Sequence, residues 1–321
     1  MGEKFLVLGG AGFIGSAVVN ELHVRGIKPL VFDKLTYAGR IENLINMDYQ
    51  FIRGDIASKE LEDTIKEFRP DIVINLAAET HVDRSIQSPH DFLLTNVMGV
   101  VNILELSRKY DFKFMHISTD EVYGDSYQYG CANKYSTLRP SSPYSASKAS
   151  ADNFLNAYVR TYGIDAFIAR PSNNFGPRQF PEKLVPKTII RGLLDMVIPI
   201  YGDGSQKRDW IYVEDTARIL VDLSINGKKG EIYNIPGKKI ISNLELVKII
   251  EKNLNIKLKL KYVKDRPGHD KEYCMETDIN YETTEFEEGI KKTIYWYLNN
   301  RWWWQPLLND YFFRENEPWE K

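Results

Sequence analysis

Tyr144 and Lys148 stand four residues apart, downstream of the run Ser118, Thr119, Asp120, Glu121. Side chains four apart share one face of a helix. A lysine ammonium beside a phenol lowers its pKa and makes the tyrosine a usable base for a sugar hydroxyl. Redox chemistry at an alcohol carbon needs only that pair. Asp120 and Glu121 add an acid and a base, the set required to pull a proton from carbon and to protonate a leaving group. Taken alone, two carboxyls after a strand make a solvated turn, and a Tyr/Lys pair makes an exposed helix face. A cofactor site elsewhere in the chain separates the two readings.

Such a site is legible near the N-terminus. An apolar run at 4–8 ends in Gly9-Gly10-Ala11-Gly12-Phe13-Ile14-Gly15, which opens a stretch of helical periodicity at 13–25. Glycines there permit a tight turn and let the backbone approach a pyrophosphate at the helix N-terminus. A Gly-rich turn is by itself a moderate signal, because such turns also occur without ligands. Asp33 strengthens it. It closes the second apolar run, at 29–32, where a carboxylate binds adenosine ribose hydroxyls and repels a 2′-phosphate. NAD is therefore expected over NADP. Asp55 and Ile56, after a third strand at 49–52, are placed to flank the adenine.

The elements that must position these residues alternate. Strands are predicted at 72–76, 114–117 and 166–169, and helices at 58–68 (Ser58 as N-cap), 92–110 and from Ser142-Pro143 to about 162. Strand–helix alternation implies an α/β fold with a parallel, doubly wound Rossmann sheet. After Asn174 the rhythm loosens. Loops at 201–204 and 266–268, isolated strands at 231–235 and 257–262 and a helix at 243–253 read as a smaller C-terminal α/β substrate domain. The expected division is 1–174 for NAD binding and 175–321 for substrate, with the chain re-entering the first domain near 209–223.

The bulk numbers narrow the class. A chain of 321 residues is long enough for one large and one smaller domain. Its 43% hydrophobic and 27% charged content are ordinary for a soluble globular protein. A net charge of −2 gives no reason to expect nucleic-acid or membrane affinity. No apolar run approaches the ~20 residues of a membrane span, and the start of the chain shows no signal-peptide pattern. Cys131 and Cys274 lie far apart in sequence and form no CxxC or ligand pair, so they read as inert packing residues of a cytoplasmic protein, and no metal is expected.

Longer motifs carry a resemblance. DKLTYAG at 33–39, AAETHVDRSI at 77–86, HISTDEVYG at 116–124, PSSPYSASK at 140–148, RPSNNFGP at 170–177, QFPEKL at 179–184, RDW at 208–210 and RPGHD at 266–270 are similar to the dTDP-glucose 4,6-dehydratase family, within the extended short-chain dehydrogenase/reductase superfamily. The acidic pair in STDE separates that family from its epimerase relatives. The resemblance implies NAD held by Gly9, Gly12, Phe13, Ile14, Gly15, Asp33, Lys34, Thr36, Asp55, Ile56, Leu76, Ala77, Ala78 and Thr95, with Tyr144 and Lys148 at its reactive end. It implies C4 oxidation with Tyr144 as base, Lys148 on the cofactor ribose and Thr119 on the C4 oxygen. Glu121 then takes the C5 proton, Asp120 protonates the leaving C6 hydroxyl, and hydride returns to C6.

On the substrate side the resemblance implies contacts from Asn173, Glu182, Lys183, Leu184, Tyr201, Arg208, Asn234, Arg266 and Tyr273 with a nucleotide sugar, dTDP-glucose first. Arginine forks suit pyrophosphate. The helices at 92–110 and 144–162 resemble those that pair in dimers of the superfamily, which implies a homodimer. His81 and His116 are expected to be structural hydrogen-bonders, Arg84 and with it His81 to line either the cofactor phosphates or the dimer side, and the Trp302–Trp304 cluster to pack the C-terminal helix. Two departures stand out: Phe175 replaces a usual Tyr, and the segment at 278–286 is much shorter than in the family. The rival readings are a UDP-sugar 4-epimerase or UDP-glucuronate decarboxylase with the same Tyr/Lys pair and, in another class, a non-catalytic NAD-binding sensor.

Overall fold

The short apolar runs fold as strands that, apart from the exposed edge strand Gln50–Arg53, are buried on both faces, the pattern of a parallel sheet covered by helices. In the computed structural model, which describes residues 3–320, these are β1 (Phe5–Leu8), β2 (Leu30–Asp33), β3 (Gln50–Arg53), β4 (Ile72–Asn75), β5 (Lys113–Ile117) and β6 (Ala166–Pro171). Residues 1, 2 and 321, at the outer ends of the two expected domain ranges, lie outside the described residues. The sheet runs β3-β2-β1-β4-β5-β6 and continues to a seventh strand, β10 (Ile232–Ile235). Every pairing in it is parallel. The expected strand at 231–235 therefore joins the main sheet beside β6 rather than forming an isolated piece of a second domain. Its sequence, half apolar and preceded by a Gly turn, does not say which sheet edge it will complete.

On one face α1 (Phe13–Val24) packs along α9 (Val213–Asn226), joining Val18 and Leu22 to Ala217, Leu220 and Val221. On the other face α2 (Lys59–Phe68), α5 (Gly99–Tyr110) and α7 (Pro143–Tyr162) bury Leu61, Ile103, Leu104, Ala151 and Leu155. The expected helix at 92–110 begins earlier and is interrupted. After α3 (Val82–Gln87), α4 (Pro89–Phe92) passes into a wide π-type stretch, Leu93–Met98, before α5. Ser58 takes the N-cap position of α2, yet its hydroxyl donates to the Asp55 carbonyl and to Glu60 instead of capping.

The C-terminal part builds a third core. β7 (Asn173–Phe175), β9 (Lys207–Tyr212) and β11 (Ile240–Ser242) form one small sheet; β8 (Val197–Tyr201) and β12 (Lys259–Val263) form another. With α8 (Leu184–Leu193), α10 (Asn243–Leu254) and α11 (Phe286–Asn299) they bury Ile189, Leu246, Ile250, Ile290 and Tyr297. Phe175 is buried in this core, 1% exposed, in ring contact with Trp210, Tyr212 and Phe286. Trp303 and Trp304 join this core, and the Trp303 indole donates to Asn43 across at the sheet domain.

The short segment at 278–286 is tied down by few residues. Asp278 pairs with Lys134, the Tyr281 hydroxyl donates to the Pro236 carbonyl, and the Thr284 amide donates to Asp215. Cys131 and Cys274 are paired: their Cα atoms lie 4.7 Å apart and the sulfurs form a disulfide. This corrects the expectation of two inert thiols. Sequence separation hides the contact, which is made when the segment at 271–276 bonds alongside α6 (Ser126–Tyr129) and Ala132.

Candidate active site

The strand order reverses between β1 and β4, where an open α/β sheet leaves a crevice at its carboxyl ends. A cavity of about 280 Å³ opens there. Gly9, Gly12, Phe13, Ile14 and Gly15 line it from the β1–α1 turn; Asp33, Lys34 and Thr36 from beyond β2; Asp55 and Ile56 from beyond β3; Leu76, Ala77 and Ala78 from beyond β4; and Thr95 from the π-type stretch. Only glycine fits the turn. A Cβ on Gly9 would lie 2.4 Å from the Ala77 amide nitrogen, and one on Gly15 would lie 2.1 Å from the Gly9 carbonyl oxygen. Gly12 is the N-cap of α1 and makes no side-chain cap, and a helix start at a cavity suits an anionic ligand. Asp33 is buried, accepting from the Ala11 and Leu35 amides, and burial raises its carboxyl. Lys34 reaches Asp55 at 2.7 Å.

Thr119, Asp120 and Glu121 follow β5 and enter the same cavity, opposite Tyr144 and Lys148 from the start of α7. Sequence sets up both arrivals. Ser142 and Ser145 form a reciprocal capping box around Pro143, which fixes the first turn of α7 and with it Tyr144. The Thr119 hydroxyl accepts from the Glu121 amide and donates to Asp120 at 3.1 Å. Burial drives the Asp120 carboxyl well above the usual range, reinforced by the neighbouring Glu121 and Asp209. Burial also raises Glu121, but Arg266, Arg208 and Lys183 oppose it. Both carboxyls are raised by burial, Asp120 the further, and the cations beside Glu121 limit its rise, a difference of the kind that separates an acid from a base.

The Tyr/Lys pair departs from its expected electrostatics. Burial and then Glu121 push the Tyr144 phenol up, with Thr119 opposing. The Lys148 ammonium donates to the Ile117 carbonyl at 2.6 Å, and burial lowers it to about 8, with Asp152 opposing. Helical spacing places the pair on one face, but the β5 backbone offers the ammonium a nearer acceptor.

Asp152 belongs to a support that the motifs did not single out. It binds Arg170 at 2.8 Å and accepts from Ser118 at 2.9 Å, both charged groups being 1% exposed or less. Removing one partner of such a pair leaves a buried charge, at a cost of about 3–5 kcal/mol. Its signal was present: Asp152 follows Lys148 by one more helical step on the face of Tyr144. Asn96 is a second support, bridging both backbone groups of Glu79 to Ser147.

A second cavity of about 170 Å³ continues from the first, sharing Glu121, Asn173, Glu182 and Lys183. Leu184, Tyr201, Arg208 and Arg266 line it. Arg266 and the Tyr201 hydroxyl converge on Asp83, at 3.0 and 3.1 Å. Asp83 is thus a further site residue, hidden in sequence because its partners are distant. Arg208 binds the Lys207 and Asp270 carbonyls and stacks on Tyr273 at 4.2 Å. The Glu182 carboxylate is engaged by Arg84 and Tyr37.

Two of the expected substrate contacts lie elsewhere. Asn234 is enclosed on β10, accepting from the Tyr123 hydroxyl and donating to the Glu276 carbonyl. Tyr273 lines neither large cavity; its hydroxyl donates to Asp270 behind Arg208. Among the lone side chains, His116 contacts Asn75 at 3.3 Å, whereas His81 Nδ1 is buried without a hydrogen-bond partner. Arg84 pairs with Glu182 and Asp310 between the rings of Tyr37 and Phe312. Among the described residues no cluster of His, Cys, Asp or Glu could hold a metal ion, and no helix is long and apolar enough to cross a membrane.

Residues 5–236 match the sequence model of the NAD dependent epimerase/dehydratase family. The chain is 43% identical over 341 residues to a probable dTDP-glucose 4,6-dehydratase of Sinorhizobium fredii, covering 97% of each. It is 44% identical over 346 residues to the dTDP-glucose 4,6-dehydratase of Neisseria meningitidis serogroup B, covering 96% of each. Among solved structures, a dTDP-glucose 4,6-dehydratase from Streptomyces venezuelae with NAD bound superposes with a TM-score of 0.90 at 38% identity, over 95% of this chain and 99% of that one. A UDP-glucose 4-epimerase from Thermus thermophilus in complex with NAD gives 0.85 at 29% identity, over 92% and 99%.

Proposed function

Since this chain belongs to the NAD dependent epimerase/dehydratase family, where dTDP-glucose 4,6-dehydratases are among its relatives, we propose that it converts dTDP-glucose to dTDP-4-keto-6-deoxyglucose. It is an NAD-dependent lyase. The observation that carries the reading is the pairing of an enclosed Asp120 with a cation-facing Glu121 beside Tyr144 and Lys148. An epimerase has no use for an acid and a base beyond the Tyr/Lys pair, and a sensor has no use for either set.

The glycine turn, the uncapped start of α1 and Asp33 fit NAD. Bound there, NAD supplies an acceptor for hydride from C4 and later a donor of hydride to C6. Tyr144 takes the C4 hydroxyl proton, with Thr119 donating to the developing oxygen. Lys148 holds the cofactor ribose, and its charge counters the proton loss at Tyr144. The new 4-keto group acidifies C5. Glu121, whose rise by burial is opposed by Arg266, Arg208 and Lys183, removes the C5 proton. Asp120, kept protonated by burial, gives its proton to the C6 hydroxyl, which departs as water. Glu121 returns the proton to C5. Arg266, Arg208 and Lys183 supply positive charge suited to the substrate's diphosphate.

A homodimer in the cytoplasm completes this reading. Support for the dimer comes from the apolar surface of the π-type stretch and α7. The cytoplasm is where NAD and nucleotide sugars are held; the paired cysteines no longer argue for it. The test is incubation with dTDP-, UDP- and CDP-glucose, reading keto-sugar release by its alkaline absorbance and product mass. Keto-sugar from dTDP-glucose is expected. A C4-epimerised product in its place would move the chain to the epimerases.

A further inference from the structure

Asp120 forms a wall of two separate cavities. One is the active site. The other, a chamber of about 40 Å³ on the far side, is lined by Tyr123, Ser126, Ser136, Thr137 and Arg139 and bounded by the disulfide-bonded Cys274. One water needs roughly 10–15 Å³ and two to four polar partners, so the chamber is large and polar enough for water. Thr137 and Arg139 are exposed, which opens it to solvent through the loop after α6. Asp120 is 3% exposed; its Oδ1 accepts from Thr119, and its Oδ2 has no hydrogen-bond partner in the protein.

The dehydratase reading above, on which this step rests, leaves a proton imbalance at the end of each cycle. The C4 oxygen is a ketone in the product, so the proton taken by Tyr144 is never returned to the sugar. The C5 proton leaves to Glu121 and comes back. The C6 oxygen departs with its bonding electron pair and takes a proton from Asp120 to become water. Tyr144 has gained one proton and Asp120 has lost one. Until it leaves, the 4-keto product fills the active-site cavity and covers the front of Asp120. We infer that the rear chamber is a water port that returns a proton to Asp120 in every cycle.

The port is tested by plugging it away from the chemistry. Ala132, 6% exposed, lies on the chamber wall. Ala132→Leu fills the space, Ala132→Ser leaves it open, and Thr137→Leu plugs its exposed outer end with little risk to folding. In rapid-quench kinetics with dTDP-glucose, Ala132→Leu and Thr137→Leu should complete the first turnover at the wild-type rate. Later turnovers should be at least tenfold slower, giving a burst of one product per site. Ala132→Ser should show no burst. Wild-type steady-state rates in both plugged variants would overturn the port and leave Tyr144-to-Asp120 transfer through Thr119 as the return path. A first turnover slowed as much as later ones would also overturn it, because the wall would then act through site geometry. Failure of the wild-type protein to make keto-sugar at all would instead sink the dehydratase reading.

Discussion

Glu121 faces Arg266, Arg208 and Lys183, while Asp120 beside it is enclosed against Glu121 and Asp209. That difference supports the proposed division of roles, and it predicts separable defects. Tyr144→Phe keeps the ring and removes the base, so no reduced cofactor should form. Glu121→Gln should still allow C4 oxidation, because its work begins only once the ketone exists. Loss of a positioned acid or base costs about 10²–10⁴ in rate. Glu121→Gln should therefore accumulate near-ultraviolet absorbance of enzyme-bound reduced cofactor while C5 exchange with deuterium oxide stops. Product formation near the wild-type rate in that variant would remove Glu121 from the mechanism. Asp33 makes a second prediction. Its buried carboxylate site should favour NAD over NADP strongly, and equal affinity for the two in calorimetric titration of the cofactor-stripped protein would contradict this.

At the scale of elements, the site hangs on how a helix begins. The capping box of Ser142 and Ser145 brackets Pro143 and Tyr144, so it fixes the first turn of α7 that carries the proposed base. Ser142→Ala should cost about 1 kcal/mol in stability, the usual worth of an N-cap side chain. It should also lower kcat more than Tyr144's own burial would suggest, since the freed turn lets the phenol wander. Denaturant titration and steady-state kinetics on one preparation check both parts; a stability loss with kcat untouched would confine the cap to folding.

Across the whole molecule two long-range features follow from the tertiary arrangement. Leu93, Leu94 and Met98 on the π-type stretch and Phe154 on α7 are between 43% and 53% exposed, an apolar surface on neighbouring elements. Sedimentation at micromolar concentration should give twice the mass of the 37.2 kDa chain, and a monomer would contradict the proposed pairing. The Cys131–Cys274 bridge closes a separation of 143 residues. Disulfides typically contribute about 2–4 kcal/mol, chiefly by restricting the unfolded chain. Reductant should lower the unfolding free energy by that amount, and the unreduced protein should show no thiol reactive to a chromogenic disulfide reagent. Two titratable thiols in the native protein would refute the pairing.

Periodicity and turn chemistry were enough to read the alternating first half, the glycine turn, Asp33 at the end of β2 and the Ser-Pro start of α7, because each depends on neighbours within a few residues. The acidic pair and the Tyr/Lys pair were legible for the same reason, and motif resemblance joined them to one reaction. Folding decided what depends on distant partners. β10 completes the main sheet because Ile168 and Ala169 offer it an open edge, which its own residues do not reveal. Asn234 turns inward to Tyr123, Arg84 to Glu182 and Asp310, and Lys148 to a strand carbonyl, each choosing the nearest partner that compensates its burial. Side-chain type states what a residue can bind. Only the packed chain states what is close enough to be bound, and burial in low dielectric then raises Asp120 well above the usual carboxyl range beside a glutamate whose rise is opposed by three cations.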